Sequence, residues 1–124
     1  MIKAHSDELQ GRKLAEKMIE SAEAKKGSGS IVDLRKKNAP ADWFVICQGE
    51  NAVHNRAICD EILDELEKVH VSPWHIEGKS EGRWLLIDCV DVVAHIMLPE
   101  MHELYSLEQL WSDEKKPEPE KDVW

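Results

Sequence analysis

Two β-prone runs, Trp84 to Cys89 and Val92 to Leu98, stand with only Val90-Asp91 between them. So short a link cannot carry a crossover, and the runs are forced into an antiparallel hairpin. Alternation along a strand then divides their side chains between the two faces of a sheet. Leu85, Ile87 and Cys89 with Val92, Ala94, Ile96 and Leu98 make one set, wholly apolar and small to medium in size, which reads as core. Trp84, Leu86 and Asp88 with Val93, His95 and Met97 make the other, mixing a large aromatic and a methionine with an aspartate and a histidine. Such a mixture fits a protein-binding patch, where aromatics supply area and polar groups supply orientation. It equally fits a face packed under a helix, with Trp84 and Met97 buried and Asp88 and His95 hydrogen-bonded to each other or to backbone.

The rest of the chain supplies what this hairpin must pack against. Ser6 or Asp7 caps a helix beginning near Glu8, in which Leu9, Leu14, Met18, Ile19 and Ala22 recur at helical spacing. Gly27-Ser28-Gly29-Ser30 stops that helix and reads as a flexible connector into a short strand, Ile31 to Leu34. Trp43 to Cys47 is a nearly continuous apolar run, the pattern of a strand buried on both faces. Asn51 caps a second helix over Ala52 to Val69, with Val53, Ala57, Ile58, Ile62, Leu63 and Leu66 as its apolar stripe. Pro73 precedes a short strand around Trp74 to Glu77, and Pro99 ends the hairpin. Met101 to Trp111 suits one or two short helical turns.

The order α-β-β-α-β-β-β-α predicts an α/β (α+β) fold, a mixed sheet of about five strands flanked by helices. With 124 residues the chain is long enough for one self-sufficient core. Residues 1–112 are expected to form that single domain. Residues 113–124 contain Lys-Pro-Glu-Pro-Glu and too little apolar content to fold alone, so they read as an acidic tail.

Composition narrows the function. A net charge of −9 repels phosphate backbones, which disfavours DNA as a partner and suits a basic protein. Cys47, Cys59 and Cys89 lie in apolar contexts without CxxC spacing and read as small buried hydrophobes in a reducing compartment. The first residues lack the apolar region of a signal peptide and no run is long enough to span a membrane, so a cytoplasmic location is expected.

Catalytic patterns are missing. His102-Glu103 is not HExxH, because Ser106 stands where the second histidine belongs. There is no GxSxG, and the Gly27–Ser30 loop precedes a strand rather than the helix an anion site exploits. Asp88 and Asp91 have the look of paired metal carboxylates, but turn-forming aspartates explain them as well. Neither a cofactor nor a metal site is expected.

Five segments in order then resemble one family. They are Asp42-Trp43-Phe44-Val45-Ile46-Cys47-x-Gly49; Arg56-Ala57-Ile58-x-Asp60; Glu77-Gly78; Trp84-Leu85-Leu86-Ile87-Asp88-x-x-Asp91-Val92-Val93-x-His95; and Tyr105-x-Leu107-Glu108-x-Leu110-Trp111. Together they look like the motif series of ribosomal silencing factors of the Iojap type, over roughly Leu9 to Asp113. The resemblance implies a nucleotidyltransferase-like fold without catalytic carboxylates, hence no enzyme. It also implies translational repression, by binding the large ribosomal subunit at its ribosomal protein numbered fourteen and sterically blocking the small subunit. The family's binding surface maps onto Trp84, with Leu86, Asp88, Asp91, His95 and Met97 around it and Tyr105 to Trp111 alongside. A homodimer through the same face is an open possibility. Two other readings stay open: a large-subunit assembly factor, and a divergent nucleotidyltransferase using Asp88 and Asp91 with a divalent metal. The sequence departs from the family pattern at Glu50-Asn51, at Cys89-Val90 where a glycine commonly takes the second place, and at Ala94.

Overall fold

A computed structural model of the chain describes residues 8–110. The tail expected beyond residue 112 and the site residue Trp111 lie outside the described residues.

Helix α1 (Glu8–Ala24) leads into β1 (Ser28–Asp33) and β2 (Trp43–Gln48), followed by helix α2 (Ala52–Lys68). Then come β3 (His75–Glu77), β4 (Trp84–Asp88), β5 (Val92–Met97) and two short helices, α3 (Pro99–Tyr105) and α4 (Leu107–Leu110). The five strands form one mixed sheet in the order β1-β2-β5-β4-β3. β4 and β5 pair antiparallel with Trp84 opposite Met97 and Asp88 opposite Val93, the hairpin that the two-residue link requires. β2 pairs antiparallel with β1 and parallel with β5, so the crossover through α2, β3 and β4 puts β5 at the centre. All six residues of β5 are buried, as are the first five of β2.

The local signals explain the boundaries. Asn51 caps α2 by accepting the His54 N–H at 2.8 Å. Both long helices end on a left-handed residue that is not glycine: Lys26 (φ +66) after α1 and His70 (φ +62) after α2. In each case the next amide reaches back to close the final turn, Gly27 to Ala22 at 2.8 Å and Val71 to Leu66 at 2.9 Å. Two details differ from the sequence reading. Ser28 to Ser30 extend β1 instead of forming a free connector, because they complete the ladder with Gln48, Cys47 and Ile46. Gly29 suits that place, since any β-carbon there would press on Ile19. In α2 the buried stripe is Asn55, Ile58, Cys59, Ile62 and Leu66, while Val53 is 72% exposed. Asn55 and Val53 point to opposite sides of the helix, and the buried Asn55 amide donates to the Gly82 carbonyl at 2.8 Å, tying α2 to the turn before β4.

Each face of the sheet has its own core. On one, α1 and α2 cover Val45, Cys47, Leu85, Ile87, Val92, Ala94 and Ile96. On the other, Phe44, Ile46, Val93 and Met97 lie under Leu34 and Ala41 of the β1–β2 loop and under Leu107 of α4, with Met101 and Tyr105 of α3 at its margin. Gly78, at φ +84, shapes the entry to β4, where a β-carbon would collide with the Trp84 carbonyl.

Leu107 is fully buried and anchors a helix of only four residues. So short a helix has no stability of its own and depends on this anchor. A Leu107→Ala variant is expected to lose about 2–5 kcal/mol in urea unfolding, with early hydrogen exchange in α3 and α4. A loss below about 1 kcal/mol would show that the second core closes without it.

Candidate functional site

The mixed face of the hairpin divides by depth. His95 and Met97 were expected to face a partner, and the structure corrects this: both are fully buried. They sit on the central strand, beneath the β1–β2 loop and the two terminal helices, and so have no surface to offer. Trp84 and Leu86, on the neighbouring strand β4, are half-buried and keep an outward edge. Asp88 is likewise half-buried, and Asp91 is exposed at the tip. Trp84 packs against Tyr105 with ring centroids 5.1 Å apart.

Trp84 is held from below by the buried histidine. Its indole Nε1 donates to His95 Nδ1 at 3.0 Å. An indole N–H only donates, so Nδ1 accepts, and the neutral ring carries its proton on Nε2. The Phe44 ring adds an edge contact to His95 at 4.7 Å. Of the two sequence readings, the buried alternative therefore describes Met97 and His95, with one change of partner. His95 bonds Trp84, while Asp88 Oδ1 accepts the Val90 N–H at 2.8 Å.

Toward the hairpin tip the same face opens into a groove of about 340 Å³ lined by Pro40, Trp74, Leu86, Asp88, Val90 and Val93. Trp74 is 75% exposed and Val90 59%, and with Leu86 and Pro40 they gather apolar area in one place at the surface. The groove is braced by backbone. The Trp74 N–H donates to the Asp88 carbonyl at 2.8 Å, and the Asp91 carbonyl accepts from Asp42 and Trp43 at 2.9 and 3.0 Å. Sequence reasoning missed Trp74, Val90 and Pro40. The available signal was a tryptophan directly after Pro73, at a strand too short to bury it.

A second polar cluster lies between the other sheet edge and α3–α4. His102 Nε2 donates to Glu108 Oε1 at 2.8 Å, and its Nδ1 lies 2.6 Å from Gln48 Oε1. The Ser30 hydroxyl donates to Glu108 Oε2 at 2.8 Å. Burial raises the Glu108 carboxyl, but the hydrogen bonds from His102 and Ser30 outweigh it and hold the group below its ordinary value. The serine bonds the carboxylate and not the histidine, so nothing here activates a nucleophile. The cluster clasps α4 to β1 and β2.

Other chemistry is weakly furnished. Among the described residues no three His, Cys, Asp or Glu side chains gather as metal ligands, and no helix is long and apolar enough to cross a membrane. Burial pushes the Cys47 and Cys89 thiols up to about 12 and Cys59 to about 11, which leaves little thiolate for reaction.

Burial also pushes His95 down, from 6.5 to about 4. Between these values the unfolded chain binds a proton that the folded chain refuses. The stability contributed is therefore complete above pH 6.5 and is lost as pH falls toward 4. The loss across that window should be on the order of 3 kcal/mol. Urea titrations from pH 7 to 4 should show a steeper fall for the wild type than for His95→Gln, which has no proton to gain. Parallel curves would place the acid sensitivity elsewhere.

Comparison with known proteins fits this arrangement. The family described as "Ribosomal silencing factor during starvation" matches residues 8–123. Ribosomal silencing factor RsfS of Bacillus subtilis is 35% identical over 82 residues, 66% of this chain and 70% of that protein. The Haemophilus influenzae protein of the same name is 30% identical over 100 residues, 80% of this chain and 98% of its own length. The mouse protein named "Mitochondrial assembly of ribosomal large subunit protein 1" is 38% identical over 74 residues, covering 57% of this chain and 32% of that protein. A crystal structure from Chromobacterium violaceum superposes with a TM-score of 0.79 at 27% identity, covering 86% of this chain and 89% of its own. With a matching fold and a family match across most of its length, the chain belongs to the ribosomal silencing factor family.

Proposed function

We propose that this protein binds the large ribosomal subunit through the ribosomal protein numbered fourteen and blocks joining of the small subunit by occupying its place. The observation that carries this reading is the groove beside the hairpin tip, where Trp74, Leu86 and Val90 present apolar area next to Asp88 and Asp91. Exposed aromatic area flanked by carboxylates suits a partner with an apolar anchor and a basic rim, the composition of a ribosomal protein surface. Trp84 and Tyr105 extend the same face, and His95 and Met97 support it from beneath. Repression by this route needs occupied space and no turnover, and it takes place in the cytoplasm, where subunits meet. A second copy of the chain would use the same groove and compete with the ribosome.

The name of the mouse relative favours a second reading, in which large-subunit binding serves assembly instead of silencing.

Sucrose-gradient sedimentation of purified subunits separates them. The protein is expected to travel with the large subunit and to reduce the joined fraction. An Asp91→Lys variant keeps the backbone carbonyl that anchors the tip, so it should fold normally and bind about tenfold more weakly. Normal joining with the protein still on the large subunit would overturn silencing and favour assembly. Metal-dependent nucleotide turnover lost in Asp88→Ala would instead reveal a divergent nucleotidyltransferase.

A further inference from the structure

Val90 holds the centre of the 89–91 link between β4 and β5 at φ +75. Tight turns normally reserve a position of this kind for glycine. A β-branched residue there is a genuine outlier, and its backbone carries strain. The turn is kept in this shape by bonds on every side. The Val90 N–H donates to Asp88 Oδ1 at 2.8 Å, and the Asp91 N–H turns back to the Cys89 carbonyl at 2.9 Å. The Asp91 carbonyl is fixed by the amides of Asp42 and Trp43 at 2.9 and 3.0 Å.

None of those bonds involves the valine side chain, and glycine would make all of them without strain. Core packing does not account for the residue either, because Val90 is 59% exposed. What the isopropyl group does is form one wall of the groove, beside Trp74 and Leu86. A strained, exposed, apolar residue that contributes nothing to the monomer's core gains its value from a contact the monomer does not contain.

We propose that Val90 is a specificity-determining contact: it meets an apolar side chain of the ribosomal protein seated in the groove, while basic groups of that protein pair with Asp88 and Asp91. This rests on the ribosome-binding reading above. The rigid turn presents the isopropyl group already ordered, so binding loses no further backbone freedom at the tip.

The test compares wild type, Val90→Gly and Val90→Thr, each measured by thermal melting and by binding to purified large subunits. Glycine relieves the strain and removes the contact, so its Tm is expected to rise by about 2–5 °C while binding weakens about tenfold. Threonine keeps the branched shape and the strain but puts a hydroxyl into the groove. It should leave the Tm near that of wild type and still weaken binding several-fold. Wild-type binding with Val90→Gly equally tight would overturn the contact and leave ribosome binding intact. A Tm that falls in Val90→Gly would show the turn to be unstrained and overturn the argument from strain. Failure of the wild type itself to bind would overturn the ribosome-binding reading, and the contact with it.

Discussion

The parallel pairing of β2 with β5 sets the terms for everything built around it. It joins residues some fifty positions apart and places β5 at the centre of the sheet, with β4 on its other side. A central strand has no solvated edge, and here neither face is solvated, so every side chain from Val92 to Met97 must be packed. One histidine stands in that run. It is tolerated because the indole of Trp84 supplies a donor to its Nδ1 inside the sheet face. The arrangement makes Trp84 dependent on the core below it, and makes the outer surface at β4 rigid.

The two layers over the sheet are unequal. α1 and α2 have 17 residues each and bury continuous stripes. The opposite layer is a loop and two short helices, joined through Ser106 at φ +44 and held by Leu107 and the Gln48–His102–Glu108–Ser30 cluster. This thinner layer stops short of the hairpin tip. The groove lies where cover ends, which is why Leu86 keeps an outward edge and Trp74 is exposed on the same side of the molecule.

Much of the frame was legible in the sequence, because the responsible signals are local. The two-residue link requires the hairpin, the unbroken apolar run of β2 requires burial on both faces, and Asn51 caps α2 as its position suggests. The division of the hairpin into two faces was equally legible. The depth of each residue on the mixed face was not. Depth depends on what covers the face, and the helices that do so are too short to show a period. Hence the pattern left His95 and Met97 open between surface and interior, and the resemblance placed them on a surface from which the fold removes them, while Trp74 read only as the start of a short strand. Val90 stood out only as a departure from the family's usual glycine, because the positive φ it adopts is a property of the folded turn that a valine does not announce.

The size of the groove limits what this surface does alone. A stable protein–protein interface draws on roughly 20–30 residues from each partner, far more than the six that line this groove. Most binding energy nonetheless comes from a few desolvated anchors ringed by near-neutral contacts. On the proposed reading the groove is such an anchor point, and the exposed residues around it, Glu77, Asp42 and Asp91, belong to the ring. That division suits a protein acting by obstruction. On that reading affinity is concentrated at one rigid corner of the hairpin, and the rest of the fold, needed only for its bulk, is free to be acidic and locally paired.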